Sequence, residues 1–218
     1  MPISLRIGDL CLRHPIIQGG MGAGVSNARL SGEVGICGGL GVLSSVALDR
    51  FVSRRAGRTL ETRAAVALEV ETTRDRGGAC GINAMVILVR DYEEAVRGAI
   101  DGRADLIFSG AGLPLHLPTL VRAHNPKARA GLVPIISSSR ALSLVCRHWE
   151  RQGCRPVAAV LEGPLAGGHL GWKTAAELED PENTLEKLLP PVLDVAAKYG
   201  RFPVLVAGGI FTREDIAR

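Results

Sequence analysis

Pro156-Val157-Ala158-Ala159-Val160-Leu161-Glu162-Gly163-Pro164-Leu165-Ala166-Gly167-Gly168-His169-Leu170-Gly171 joins an apolar run to a glycine-rich segment. The run from Pro156 to Leu161 is short and unbroken, as expected of a buried strand. Gly167 and Gly168 then allow the backbone to come close to a ligand. His169 follows them, and an imidazole exchanges a proton near neutral pH without special tuning. Small residues beside a titratable group at a strand end are what a catalytic loop requires. A merely solvated glycine-rich connection carrying a histidine is the alternative at this point.

The same pattern recurs on both sides of this stretch. Glycine accounts for 27 of 218 residues, above the usual share of about 7%. Glycines gather just after apolar runs, at Gly19-Gly20, Gly38-Gly39, Gly110 and Gly208-Gly209 as well as Gly167-Gly168. Strands are expected over 15–18, 39–44, 80–85, 106–109, 130–136, 156–161 and 202–207. Asn83 breaks the apolar pattern of the third; its amide either caps its own loop or meets a ligand. Helices are expected through Leu30–Val34, capped by Ser26 or Asn27, from Thr59 to Gly77, from Asp91, over 115–124 and over 141–151. A further helix is expected to start at Pro190-Pro191, since one proline fits a first helical position. Another begins at Thr212. The polar stretches Asp49–Arg58 and Lys173–Asn183 are read as connections, the second as an excursion over the active face.

Strand and helix alternate seven times, which demands a parallel sheet covered by helices. Units of this size fit an eight-stranded (β/α)₈ TIM barrel, which needs roughly 250 residues. The expectation is a single α/β barrel domain over 1–218, truncated after about seven βα units, with the C-terminal unit missing. Such a piece alone would leave two unpaired strand edges, predicting poor solubility or edge pairing into a homodimer.

Composition narrows the function. Lys+Arg of 26 against Asp+Glu of 22 gives a formal charge of +4, with the basic residues scattered and aromatics at 4%. A nucleic-acid binder shows a basic face with stacking side chains, so that role is set aside. Cys11, Cys37, Cys80, Cys146 and Cys154 are odd in number and lack C-x-x-C spacing. Reduced thiols are expected, with no metal site. No leader pattern and no apolar run of membrane-spanning length is visible, so a cytoplasmic protein without membrane partners is expected.

Several stretches, in order, resemble the nitronate monooxygenases (2-nitropropane dioxygenases) and the related flavin-dependent enoyl-acyl-carrier-protein reductases. They are Pro15-Ile-Ile-Gln-Gly-Gly-Met21, Gly38-Gly-Leu-Gly41, Gly81-Ile-Asn83, Gly110-Ala-Gly112, Ala166-Gly-Gly-His-Leu-Gly171 and Val206-Ala-Gly-Gly-Ile210. The Ala-Gly-Gly-His-x-Gly stretch is fairly specific, and the ordered set covers nearly the whole chain. The resemblance implies an FMN-binding (β/α)₈ barrel. Gly20, Met21 and Gly22 would lie along the flavin ring, and Asn83 would contact it. Gly167 and Gly168 would bind the cofactor in the loop that bears His169, which would act on the substrate. Gly208 and Gly209 would take the FMN phosphate, consistent with the phosphate sites barrels build at this loop and at the helix start beyond it. The family's eighth-strand segment, with its glycine-threonine pair, is not present.

The implied reaction is oxidation of an alkyl nitronate to a carbonyl compound, with oxygen as the final electron acceptor. The resemblance also admits an NAD(P)H-dependent FMN reductase of enoyl thioesters, on the same cofactor site and histidine. A non-catalytic flavin-binding barrel is the third reading. In the first two the partner is a small molecule, a nitronate or an enoyl thioester.

Overall fold

The computed structural model describes residues 4–168, 171–172 and 174–217. His169, the central residue of the sequence reading, lies outside them. The chain opens with a hairpin, β1 (Leu5–Ile7) and β2 (Leu10–Leu12), paired antiparallel. The sequence reading missed it, although Gly8-Asp9 between two alternating runs is a hairpin signal.

Seven parallel strands follow: β3 (Ile17–Gln18), β4 (Leu40–Ser44), β5 (Cys80–Met85), β6 (Leu106–Gly110), β7 (Gly131–Ile136), β8 (Ala159–Glu162) and β9 (Val204–Ala207). They pair in sequence order, each with the next. This is the pattern of a barrel wall rather than of a doubly wound sheet. The sheet curls, so that Ile17, Leu40, Val42, Leu106, Phe108, Val133, Ala158, Val160 and Leu205 join one inner cluster. Ile7 and Leu12 of the hairpin pack into the same cluster. The architecture is thus the TIM-barrel-like wall expected from the alternation.

Alternate residues of the strands face outward. Leu43, Cys80, Ile82, Ala84, Ile107 and Leu132 pack beneath the helices with Val66, Val70, Val96 and Trp149. A separate outer cluster joins Ile136, Ala159 and Leu161 to Leu142, Val192 and Ala196. The helices are α1 (Ala28–Ile36), α2 (Leu48–Ala56), α3 (Thr62–Gly77), α4 (Val89–Asp101), α5 (Leu117–His124), α6 (Ser139–Arg151), α7 (Ala175–Glu179), α8 (Leu185–Lys198) and α9 (Arg213–Ala217).

Three readings need correction. The stretch Asp49–Arg58 is largely helical, as α2; its buried side is only Leu48 and Val52, too narrow a stripe among charged residues to read as periodic. The excursion Lys173–Asn183 contains the short α7, capped by Thr174. Helix α8 begins at Leu185, so both Pro190 and Pro191 sit inside it. Proline removes the bonds to the carbonyls of Glu186 and Lys187. Both of those residues are exposed, so water can serve their carbonyls, while Leu185, Leu188 and Leu189 pack against the outer cluster.

Candidate active site at the C-terminal rim

The inner-facing residues that end the strands define a rim. In β5, Cys80, Ile82 and Ala84 face the helices, so Gly81, Asn83 and Met85 face inward. In β8, Ala159 and Leu161 face outward and Val160 inward, so Glu162 also points inward. The loops leaving β3, β8 and β9 carry Gly19-Gly20, Gly167-Gly168 and Gly208-Gly209.

Gly20 follows β3 and packs onto Asn83. A Cβ at Gly20 would stand 2.7 Å from Asn83 Cβ and 2.9 Å from the Leu43 carbonyl, so no larger residue fits. Met21 is 46% exposed, and its N–H donates to Ser26 Oγ at 2.8 Å. Gly22 faces Val46 across an ordinary contact. Ser26 is fully buried and also receives Gln18 Nε2 at 2.7 Å, which draws the loop into a closed turn. The Ser45 N–H donates to the Asn83 carbonyl at 3.0 Å, tying the end of β5 to the end of β4.

On the far side of the rim, the loops after β8 and β9 touch. Gly208 has φ +98°, and a Cβ there would stand 2.6 Å from the Ala166 amide nitrogen. Gly209 packs on Leu165 in the same way. A Cβ at Gly167 or Gly168 would meet nothing within 4 Å, so this part of the loop borders open space. Gly171 folds back onto Ser137, directly after β7. The structure therefore brings Gly20, Met21, Gly22 and Asn83 together on one arc, and Gly167, Gly168, Gly208 and Gly209 on another.

At the helix start beyond Gly209, the N–H groups of Phe211 and Thr212 donate to Asp215 Oδ2 at 3.0 and 2.9 Å. The Asp215 N–H returns a bond to Thr212 Oγ1 at 3.3 Å. This is a reciprocal cap of the Thr-x-x-acid type.

Polar satisfaction singles out the same rim. Among the described residues, two buried side-chain polar atoms lack a hydrogen-bond partner: Asn83 Oδ1 and Trp172 Nε1. Both belong to this rim. A buried orphan costs about 1–3 kcal/mol, so each is a candidate contact for a ligand or an ordered water. Burial also pushes the Glu162 carboxyl above its ordinary value. Sequence reasoning quoted Glu162 without giving it a role, and passed over Trp172 and Ser137. The position of Glu162, last in a barrel strand, is the signal that could have found it. Burial pushes the Cys80 and Cys146 thiols up to about 12, so neither is a ready nucleophile.

A cavity of about 760 Å³ lies elsewhere. It opens at the N-terminal ends of β6 and β7, beside the hairpin, among Arg74, Arg103, Asp105, Lys127 and Arg129.

The family profile described as nitronate monooxygenase matches residues 4–218. The chain belongs to the nitronate monooxygenase family. Comparison with curated proteins finds no match. Among solved structures, a FabK variant from Thermotoga maritima is similar at TM-score 0.67 and 22% identity, covering 94% of this chain and 57% of that one. Nitroalkane oxidase from Streptomyces ansochromogenes is similar at TM-score 0.64 and 20% identity, covering 90% and 58%. An IMP dehydrogenase/GMP reductase-like protein from Corynebacterium glutamicum reaches TM-score 0.66 at 14% identity, covering 99% and 62%. At these identities the likeness concerns the fold. This member of the nitronate monooxygenase family spans less than two thirds of the length of these structural neighbours.

Among the described residues, no helix is long and apolar enough to cross a membrane, and no group of three or more His, Cys, Asp or Glu side chains could hold a metal ion.

Proposed function

We propose that the C-terminal rim is the active site of an FMN-dependent nitronate monooxygenase, and that its substrate is an alkyl nitronate. Family membership supports the reaction class, and the orphaned Asn83 Oδ1 is the observation that carries the site. A buried amide oxygen with no partner fits a ligand that brings a hydrogen-bond donor, and a planar ring edge does so.

FMN, when bound, supplies the electron acceptor for the electron-rich nitronate carbon. The chain supplies the setting. Gly20 lies so close to Asn83 that a side chain there would displace the amide. Asn83 orients the ring through Oδ1. Gly208 and Gly209 offer main-chain N–H groups to the phosphate. His169 takes the proton from the carbon α to the nitro group when the substrate arrives as the neutral nitroalkane, and hydrogen-bonds the nitro oxygens when it arrives as the nitronate. Burial raises the Glu162 carboxyl above its ordinary value at the inner end of β8.

The test is to load the protein with FMN, record its visible spectrum, and follow oxygen uptake with propionate 3-nitronate. Oxygen uptake that depends on nitronate, with no bleaching by NADH under anaerobic conditions, is the expected result. Bleaching by NADH followed by reduction of crotonyl thioester would replace the proposal with an enoyl reductase. A protein that takes up no flavin would remove both.

A further inference from the structure

A buried carboxylate lies outside the rim. Glu69, on α3, is fully buried. Its Oε1 accepts from the backbone N–H of Ala28 at 2.7 Å, across 41 residues of sequence. The Arg55 guanidinium of α2 also donates to both carboxylate oxygens, one bond being 3.1 Å. Ala28 is the first residue of α1, and the other early donors of that helix, Arg29 and Leu30 N–H, go to Asn27 Oδ1. The N-terminus of α1 is thus capped by two side chains, one local and one from a distant helix.

Such a distant cap does more than stabilise α1. A carboxylate at a helix N-terminus is favoured by the helix dipole, and a partner cation offsets the cost of burying it. It therefore fixes where α1 begins. Gly32 and Gly77 let the α1 and α3 backbones approach closely further along the same pair. The loop Gly19–Asn27 runs directly into the fixed end; it is also closed on itself through Ser26 Oγ, which accepts from Met21 N–H at 2.8 Å, and Gly24 packs on Phe51 of α2. The Ser44 N–H donates to the Ser26 carbonyl at 3.3 Å, and the Ala23 N–H to the Val46 carbonyl at 3.3 Å.

We infer that Glu69, clasped by Arg55, is a positioning residue that holds the Gly19–Asn27 loop against Asn83 in the geometry that receives the cofactor. Its relevance to the cofactor rests on the proposed FMN reading; its hold on the loop does not.

The experiment compares Glu69→Gln, Arg55→Gln and, as a packing control in the same helix, Val70→Ala. Two quantities are read on the full chain: amide hydrogen exchange over residues 19–28 without ligand, and FMN dissociation constant. In Glu69→Gln the amide oxygen can still meet Ala28, but the charge and the clasp to Arg55 are lost. Exchange over 19–28 should rise about tenfold, with exchange over 40–44 unchanged, and FMN should bind roughly tenfold more weakly. Arg55→Gln, whose head group is half-exposed, leaves the Glu69 carboxylate without its cation and should raise exchange over 19–28 in the same direction. Val70→Ala should lower the melting temperature without either local change. Unchanged exchange over 19–28 in Glu69→Gln and Arg55→Gln, or an equal rise in Val70→Ala, would overturn the inference. Faster exchange with unaltered FMN affinity would overturn its cofactor half. A wild-type protein that binds no FMN, yet loosens at 19–28 in Glu69→Gln, would remove the FMN reading and leave the loop clasp standing.

Discussion

The two rims of the curled sheet are built to opposite rules. At the N-terminal rim the polar groups close on one another. Asp105 accepts the Cys80 N–H at 2.8 Å and pairs with Arg74, while its backbone bonds Cys80 and Gly131 on either side. At the C-terminal rim Asn83 and Trp172 are left with unpartnered buried atoms, and Glu162 faces the interior from a strand end. The open cavity is at the first rim and the unsatisfied chemistry at the second. Cavity volume by itself would choose the N-terminal end; polar satisfaction favours the C-terminal rim, where the proposed site lies.

The sharpest break of this contrast is at His169. His169→Asn should lower turnover of a neutral nitroalkane by about 10²–10⁴-fold, the range of a lost general base, and that of preformed nitronate by much less. Steady-state kinetics with both forms of one substrate measure the difference; equal losses would deny the base role. Next comes Gly208→Val. A side chain at φ +98° and 2.6 Å from the Ala166 nitrogen should cost about 2 kcal/mol or more and abolish flavin uptake, read by thermal melting and flavin content.

Asn83→Leu separates the two rims by sign. It removes a buried orphan, so the ligand-free protein should gain stability, by about 1 kcal/mol, while FMN binding weakens by about 10–100-fold. A change at a satisfied position would lose on both counts. The smallest effect is expected from Glu162→Gln. Burial favours the neutral carboxyl, so its folded-state pKa lies above the unfolded one. Its contribution to stability is full below the ordinary value of 4.5 and is lost as pH rises through the raised value. Melting temperature of the ligand-free wild type should therefore fall over that window relative to Glu162→Gln, and parallel curves would contradict the assignment.

The barrel wall was legible because the strands are short apolar runs, β3, β6, β8 and β9 closed by glycine, and the expected and observed strands overlap throughout. Helix α2 was not, since two buried positions among charged residues leave no period to detect. The start of α8 was misplaced because proline was given its usual terminal role, whereas leucine packing outweighs the lost bonds there. Within the site, the glycines and Asn83 stood out in sequence by breaking local patterns. Glu69 and Glu162 did not, because each looks like an ordinary charged residue. Their meaning comes from burial and partners across the fold, which no local pattern records.

The most direct measurement is a titration of the protein with FMN, following flavin absorbance, in wild type, in Asn83→Leu and in the opposite-rim variant Arg103→Ala/Arg129→Ala. Saturable uptake of one FMN per chain, weakened by Asn83→Leu and untouched by the Arg103 and Arg129 changes, is the predicted result. Uptake that survives Asn83→Leu and disappears with the two arginines would place the ligand at the other end of the barrel and contradict the account.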